Sequence, residues 1–401
     1  MPDYYNSYCI CNYTEGRVIA ALNGNFICSQ SKSKYQEYSR SFYDRILCGI
    51  DYTKAEIIFH SKKNDSHIGD IILIYLRRRG KQPVIDAIKK LLANPNIAYA
   101  EPDYLFDSHN KYTVPNDPYF NRLWGLEKIN APLVWKYTTG NSGVVVGVTD
   151  SGIDYNHPDI RDNMWVSKNG LHGRDFFRNN GDPIDRSGHG THTAGTIGAA
   201  GNNYIGIAGV CWKIKLAALK IGHIFMSLAA AIAAIDYANI NNITILNNSW
   251  GGRYYSPDLK FAIEQYNGLF IVSAGNYGTD NDSIPDYPAS FDSDNIISVA
   301  ASRPDGALAR FSNYGEKSVD IAAPGTDILS LSLRGKYSYM SGTSMAAPHV
   351  SGAAALLKSY MPDLTVSDIK TIILSSADKN PNLNGKVATG ILNLKKIFDT
   401  V

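Results

Sequence analysis

The chain has 401 residues, 44% of them hydrophobic, enough for buried cores in two or three domains. Its 39 basic and 37 acidic residues leave a net charge of +2, which gives no electrostatic case for nucleic acid. Arg77, Arg78 and Arg79 with Lys81 read as a water-facing cluster at a strand end, and the 26 tyrosines are dispersed without a repeat. The first residues lack the basic and long apolar regions of a signal peptide. The most apolar window, Ile224 to Ile235, is closed by Asp236 and is too short to span a bilayer. Of the five cysteines, Cys9, Cys11, Cys28 and Cys48 lie near the start and Cys211 lies alone. The Cys9-x-Cys11 spacing is tighter than a zinc site's and no nearby His completes a set, so free thiols are expected, with one disulfide as the alternative in an exported protein.

In chain order, residues 1–109 read as a small α+β domain. Strands are expected at Gly16 to Leu22, Asp70 to Leu76 and Ile97 to Tyr104. A helix is expected from Pro83 to Ala93, where Val84, Ile85, Ile88, Leu91 and Leu92 recur at helical spacing. Asp107 to Asp117 is polar, lacks periodicity and reads as an exposed linker. From Pro118 onward the pattern changes. Continuous apolar runs at Val144 to Thr149, Ile214 to Leu219, Ile243 to Leu246, Leu269 to Val272, Ile296 to Ala300 and Val319 to Ala322 mark strands buried on both faces. Helices starting near Gly190, Ser227, Leu259, Met345 and Val366 alternate with them. This predicts a doubly wound, mainly parallel α/β sheet over residues 110–401, with chemistry in the loops after the strands.

Four loops carry candidate groups. Asp150 ends the first strand, inside Asp-Ser-Gly-Ile-Asp. His189 sits among small residues in Ser187-Gly188-His189-Gly190-Thr191-His192. Asn276 follows the strand at Leu269 in Ala-Gly-Asn, where its amide can donate to an oxyanion. Ser344 stands in Gly342-Thr343-Ser344-Met345-Ala346-Ala347-Pro348-His349, at the start of a helix whose N–H groups and dipole favour developing negative charge. Pro348 is expected in the first turns, where few N–H groups have a partner to lose. Each group alone has a structural reading: Asp150 a turn cap, Ser344 a helix cap, Asn276 and His189 ordinary loop residues. His189-x-x-His192 lacks the spacing and the glutamate of a zinc protease helix. Ser344 also lacks the Gly-x-Ser-x-Gly elbow of an esterase, because Ala346 replaces the second glycine.

Taken together, Asp150, His189 and Ser344 follow one another in the subtilisin order. The chain resembles a subtilisin-like serine protease (a subtilase) from Asp117 to its end, with an N-terminal part, clearest from Pro83 to Tyr104, similar to the family's inhibitory propeptide. The resemblance implies an autoprocessed serine endopeptidase. Ser344 is the nucleophile, His189 the general base, Asp150 its orienting partner, and Asn276 with the Ser344 N–H the oxyanion donors. It implies substrate contacts at Ser249, Trp250, Gly251 and Gly275, with a second edge at Gly222 and His223 whose shape Ile224-Phe225-Met226 leaves open. It places His192 in a supporting role. It implies a structural calcium held by Asp159, Gly201, Asn203, Ile205 and Ile207; a Gly/Asn turn without an ion is the alternative. Asp286 reads as a solvated loop acid, with a place at the base of a pocket for basic side chains as the alternative. Expected partners are peptide or protein substrates and the chain's own propeptide, with cleavage near His109-Asn110. A monomer is expected, without nucleic acid or membrane partners. The resemblance favours secretion. The rival from another class is a catalytically idle, peptide-binding relative.

Overall fold

The structure is a computed structural model that describes residues 13–24, 38–61, 67–104 and 113–401. The chain divides into two compact units, Met1–Asn110 and Lys111–Val401. Cys9, Cys11, Cys28 and the expected cleavage point lie outside the described residues. Cys48 is exposed and Cys211 buried, both as free thiols, and burial pushes the Cys211 thiol up to about 12.

The first unit is an antiparallel sheet of β1 (Tyr13–Asn23), β2 (Tyr52–Phe59), β3 (Ile68–Leu76) and β4 (Ile97–Tyr104) in the order β2-β3-β1-β4. Alternation sends Val18, Ala20 and Leu22 of β1 and Ile72 and Ile74 of β3 into one core. The helix Lys81–Leu92 covers it with Val84, Ala87, Ile88 and Leu91, a stripe at helical spacing. A second helix, Arg40–Ile46, is capped by Ser39 Oγ, which accepts the Phe42 N–H at 3.3 Å. Neither this helix nor β2 is apparent from apolar runs. β2 is a half-exposed edge strand that carries Lys54 and Glu56.

The second unit is built on seven parallel strands: β5 (Gly140–Asp150), β6 (Gly173–Asp175), β7 (Lys213–Lys220), β8 (Ile245–Asn248), β9 (Leu269–Ser273), β10 (Ile296–Ser302) and β11 (Ile321–Pro324). Their order is β11-β10-β9-β8-β5-β7-β6. The α/β class expected from the apolar runs is the fold observed. Adjacent residues alternate between two cores: Ile245, Leu269 and Ile271 join one, Leu246, Phe270 and Val272 the other. The first core receives the long helix Thr343–Tyr360, which crosses β5, β8, β9 and β10. The second receives the helices Leu228–Ile240 and Pro257–Glu264. Two boundaries move. Ile243 N–H bonds the Ala238 carbonyl at 2.9 Å, closing the preceding helix, so the strand starts at Ile245. Val319 N–H bonds the Gly315 carbonyl at 3.1 Å, and that strand starts at Ile321. A two-stranded antiparallel ribbon, β12 (Ile328–Ser332) and β13 (Lys336–Met340), was not expected. Among the described residues no helix is long and apolar enough to cross a membrane.

Candidate functional site

The sheet's connections run outward from β5 in both directions, and such a reversal leaves a crevice beyond the carboxyl ends of the strands. The four candidate groups meet there. Asp150 is the last residue of β5, and Ser249 and Asn276 stand just beyond β8 and β9. His189 opens the helix His189–Gly198 and Ser344 is the second residue of the helix Thr343–Tyr360. His189, Ser249, Trp250, Asn276 and Ser344 line one groove of about 820 Å³.

Asp150 is fully buried, and its two oxygens lie 2.8 and 3.0 Å from His189 Nδ1. Oδ1 also accepts the Ser151 N–H at 2.7 Å. Burial disfavours the His189 imidazolium, but the charge and hydrogen bond of Asp150, with the charge of Asp185, outweigh it and raise the pKa above 6.5. Nδ1 is thereby fixed as the protonated nitrogen, and Nε2 is left as the base. Asp185 holds this arrangement, and the sequence reading gave it no role. Its Oδ1 accepts the Ser151 hydroxyl at 2.9 Å and the Ser187 N–H at 2.8 Å, and its Oδ2 accepts the Thr191 N–H at 3.0 Å. Gly190 lets the loop close onto the β5 tip, since a Cβ there would stand 2.2 Å from the Gly152 carbonyl oxygen.

Ser344 Oγ donates to the Ser249 carbonyl at 3.2 Å, and no hydrogen bond joins it to His189 among the described residues. Its N–H belongs to the first turn, where a helix has no internal acceptor for it. Pro348 is the sixth residue of this helix, in its second turn, so the carbonyl of Ser344 has no N–H four residues on. Ser249 Oγ donates to that carbonyl at 2.9 Å and itself accepts from Asn247 Nδ2 at 3.0 Å. The proline thus leaves an acceptor that ties the helix to the tip of β8.

Asn276 Oδ1 accepts the Thr343 N–H at 2.8 Å and the Thr343 hydroxyl at 3.0 Å, so among the described residues Nδ2 remains as the amide's free donor group. Gly275 has φ +107°, and a Cβ there would lie 2.4 Å from Asn313 Nδ2. Trp250 Nε1 donates to Thr149 Oγ1 at 2.9 Å, fixing the segment that carries Gly251. Gly252 and Tyr287 exchange two backbone hydrogen bonds, at 2.8 and 2.6 Å. The opposite edge is a tight reversal. Gly222 bridges Met226, and Ile224 and Phe225 are 75% and 85% exposed beside the groove. Asp286 is not a solvated acid: it is 2% exposed and lines the groove. A turn-like sequence gave no sign of that burial.

His192 is buried, with Nε2 3.0 Å from the Ile328 carbonyl and 3.2 Å from that of Ser338, so it ties its helix to the β12–β13 ribbon. Burial drops its pKa to about 4. Elsewhere, residues 116–119 lace along the loop 201–207: Asn116 Oδ1 accepts the Tyr204 N–H at 2.8 Å and Tyr119 N–H bonds the Gly206 carbonyl at 2.8 Å. Asp159 Oδ2 accepts the Ile207 N–H at 2.9 Å, and Oδ1 accepts from Asn203 Nδ2 at 2.8 Å, while Asn203 Oδ1 takes the Ile205 N–H at 2.7 Å. Asp117, read as the end of a linker, is 4% exposed, with Oδ2 on the Asn202 N–H at 2.6 Å and Oδ1 buried without a partner among the described residues. Burial raises the pKa of both acids, that of Asp159 to about 6. Two buried carboxylates, one of them with the orphan oxygen, stand beside an amide that turns its nitrogen to Asp159; carboxylate and amide oxygens are the donors that suit a hard cation. Among the described residues no three His, Cys, Asp or Glu side chains cluster as a metal site, so carbonyls would supply the rest.

Residues 141–390 match the Subtilase family. The chain is 37% identical over 298 residues to the thermophilic serine proteinase of Bacillus sp. (strain AK1), covering 73% of this chain and 70% of that one. It is 35% identical over 289 residues to thermitase of Thermoactinomyces vulgaris, covering 71% and 98%. Subtilisin-like protease 1 of Plasmodium berghei is 34% identical over 87% of this chain, which spans 64% of that longer protein. A solved protease structure from Pseudoalteromonas arctica aligns with TM-score 0.65 and 28% identity over 72% of this chain and 99% of that one. With its parallel sheet and its groove at the strand tips, the chain belongs to the subtilase family of serine endopeptidases.

Proposed function

We propose that the chain cleaves peptide bonds through Asp150, His189 and Ser344 and is made as a self-processing zymogen. The observation that carries this reading is the Asp150–His189 pair at 2.8 Å on the same groove as Ser344 and Asn276. Rotation of Ser344 Oγ from the Ser249 carbonyl toward His189 Nε2 readies the nucleophile. Oγ attacks the substrate carbonyl as Nε2 takes its proton, and the imidazolium is held by Asp150. The oxyanion is met by Asn276 Nδ2 and the Ser344 N–H, at the positive end of a long helix. His189 then protonates the leaving amine, and water repeats the sequence on the acyl-enzyme. An extended substrate lies along Ser249, Trp250, Gly251 and Gly275 as an added strand.

Residues 1–109 act as the inhibitory propeptide and 110–401 as the catalytic domain, with cleavage near His109-Asn110. Asp159, Asn203 and Asp117, with carbonyls of Gly201, Ile205 and Ile207, would hold calcium, which neutralises the two buried acids and pins the loop. Binding requires the Asn203 amide to turn its oxygen toward Asp159. The test compares the chain with Ser344→Ala by mass spectrometry and on a fluorogenic peptide. Cleavage near residue 109 and peptide hydrolysis, both lost in the variant, are expected. Intact chains and no hydrolysis in either would overturn the reading in favour of an idle relative.

A further inference from the structure

We propose that a second cavity, walled by the loop that leads to His189, binds a phosphate group, free or carried on a peptide. This goes beyond the endopeptidase reading and does not rest on it. The cavity measures about 510 Å³ and lies where β7 and β6, at one edge of the sheet, end in Lys220 and Asp175. It shares no lining residue with the substrate groove. Lys220, Arg178 and Arg186 bring three cations to its wall. Lys220 is 2% exposed, and its one hydrogen bond from Nζ among the described residues goes to the Ile184 carbonyl at 2.7 Å. An ammonium has three donors, so two are left over. Among the described residues no carboxylate forms an ion pair with Lys220, Arg178 or Arg186. A charge buried in this way is costly unless an opposite charge meets it.

The acids nearby are engaged with other donors. Asp182 Oδ1 accepts the Tyr155 hydroxyl at 2.9 Å and the Ile184 N–H at 3.1 Å. Asp175 is 1% exposed and pairs in register with Lys220 across β6 and β7, yet its Oδ1 accepts the Arg178 N–H at 2.8 Å. Asp185 uses both oxygens on Ser151, Ser187 and Thr191. Burial lowers the Lys220 pKa; the charges of Asp175 and Asp185 oppose this, and those of Arg178 and Arg186 add to it. The three cations thus repel one another, and an anion among them relieves both the burial and the repulsion. The same repulsion disfavours a metal ion here. Two guanidinium forks and an ammonium suit a phosphate group, which brings three strong acceptor oxygens and up to two charges. The volume falls in the range of small-molecule sites, about 300–1,000 Å³, so it also has room for the group that carries the phosphate. An occupant would bear on the catalytic loop. Arg186 lines this cavity, while Ser187 and His189 line the groove. Ile184 holds Lys220, and Asp185 beside it holds Ser151, next to Asp150.

The experiment titrates inorganic phosphate, by calorimetry at constant ionic strength and without added calcium, into the parent chain and into the intact Ser344→Ala chain. A phosphoserine peptide and its unphosphorylated form are titrated into Ser344→Ala, which cannot consume them. Arg178→Gln and Arg186→Gln are then compared in each background. Neither guanidinium has a hydrogen-bond partner among the described residues, so the fold should survive, as circular dichroism checks. Phosphate is expected to bind, and each substitution should weaken it about tenfold, the effect of losing a hydrogen bond to a charged group. Asp182→Asn, which removes a negative charge from the wall, should tighten it. Binding should also slow amide exchange across residues 182–188, a readout that needs no catalysis. Tighter binding of the phosphoserine peptide than of inorganic phosphate identifies a modified polypeptide as the source; equal binding identifies the free anion. No binding of either, binding that both arginine variants retain, or equal binding of the unphosphorylated peptide without any of inorganic phosphate overturns the inference. The endopeptidase reading is untouched by each of these results.

Discussion

In the groove, Asp150 is buried against a protein partner, His189 Nδ1 at 2.8 Å; beside the loop 201–207, Asp117 and Asp159 are buried with no ion pair among the described residues. The first region is closed by its own side chains: Asp150 on His189, Asn276 on Thr343, Ser249 on Ser344. The second leaves Asp117 Oδ1 without a partner among the described residues, and burial raises the Asp159 carboxyl to about 6. A region satisfied internally can hold atoms in register for chemistry. A region with unmet charge waits for something from solution. Substitutions in the first should therefore change rate independently of calcium, and those in the second should change stability in a calcium-dependent way.

The largest expected effect is in the first region. Asp150→Asn puts an amide donor against Nδ1, so the imidazole adopts the wrong tautomer and kcat falls about 10⁴-fold. The melting temperature should respond to calcium as in the parent chain. The pH profile sharpens the point. With His189 as the proposed base, catalysis needs its neutral form, and because its pKa is raised, activity should be lost as pH falls through a value above 6.5. In Asp150→Asn that acid limb should move down. An unmoved limb would mean that Asp150 does not set the charge state of His189.

Asn276→Ala removes an oxyanion donor and should lower kcat by about 10²–10³ with KM little changed. A rise in KM at constant kcat would instead make Asn276 a substrate anchor. In both cases chelation should leave the size of the defect unaltered.

The second region is tested by stability. Asp159 has its carboxyl raised from 3.8 to about 6, chiefly by burial. Between those values the ion-free folded chain holds a proton that the unfolded chain has lost. Its stability therefore falls as pH rises through that window, by about 2–3 kcal/mol in all. Saturating calcium should remove the fall, so its stabilising effect grows as pH rises from about 4 to about 6 and levels off above that. Asp117→Asn should shrink that effect and leave kcat within a few-fold. Thermal melts from pH 4 to 8, with chelator or calcium, check it. Curves that superimpose at every pH would remove the cation from this loop.

The two regions also differed in how legible they were. The α/β sheet was readable because strands buried on both faces are continuous apolar runs, and the positions that follow them, Asp150, Ser249 and Asn276, fall on one edge of it. The half-exposed strands β2 and β13 carry no such run, so neither appeared. Asp117 was hidden by composition, since polar residues before it read as linker, and its burial comes from packing along a loop some 85 residues away. Asp286 reads as a turn acid because turn residues surround it, and its isolation depends on glycines at 251 and 275. The long-range position of a carboxylate decides whether it caps, orients or waits, and local spacing does not carry that information.

The smallest effect expected probes how the groove is closed. Ser249→Ala deletes the hydroxyl that meets the Ser344 carbonyl at 2.9 Å and should cost about 1 kcal/mol, with a rate loss of a few-fold. The carbonyl is open because Pro348 has no N–H. Pro348→Ala supplies one, from the position a helix normally uses. In the double variant the helix can satisfy Ser344 itself, so the cost of losing the Ser249 hydroxyl should shrink, while additive losses would show that the hydroxyl acts elsewhere. A double-mutant cycle read by chemical denaturation and by kcat separates the two effects. If stability recovers while the rate does not, the tie between the tip of β8 and the nucleophile helix positions Ser344 as well as holding the fold.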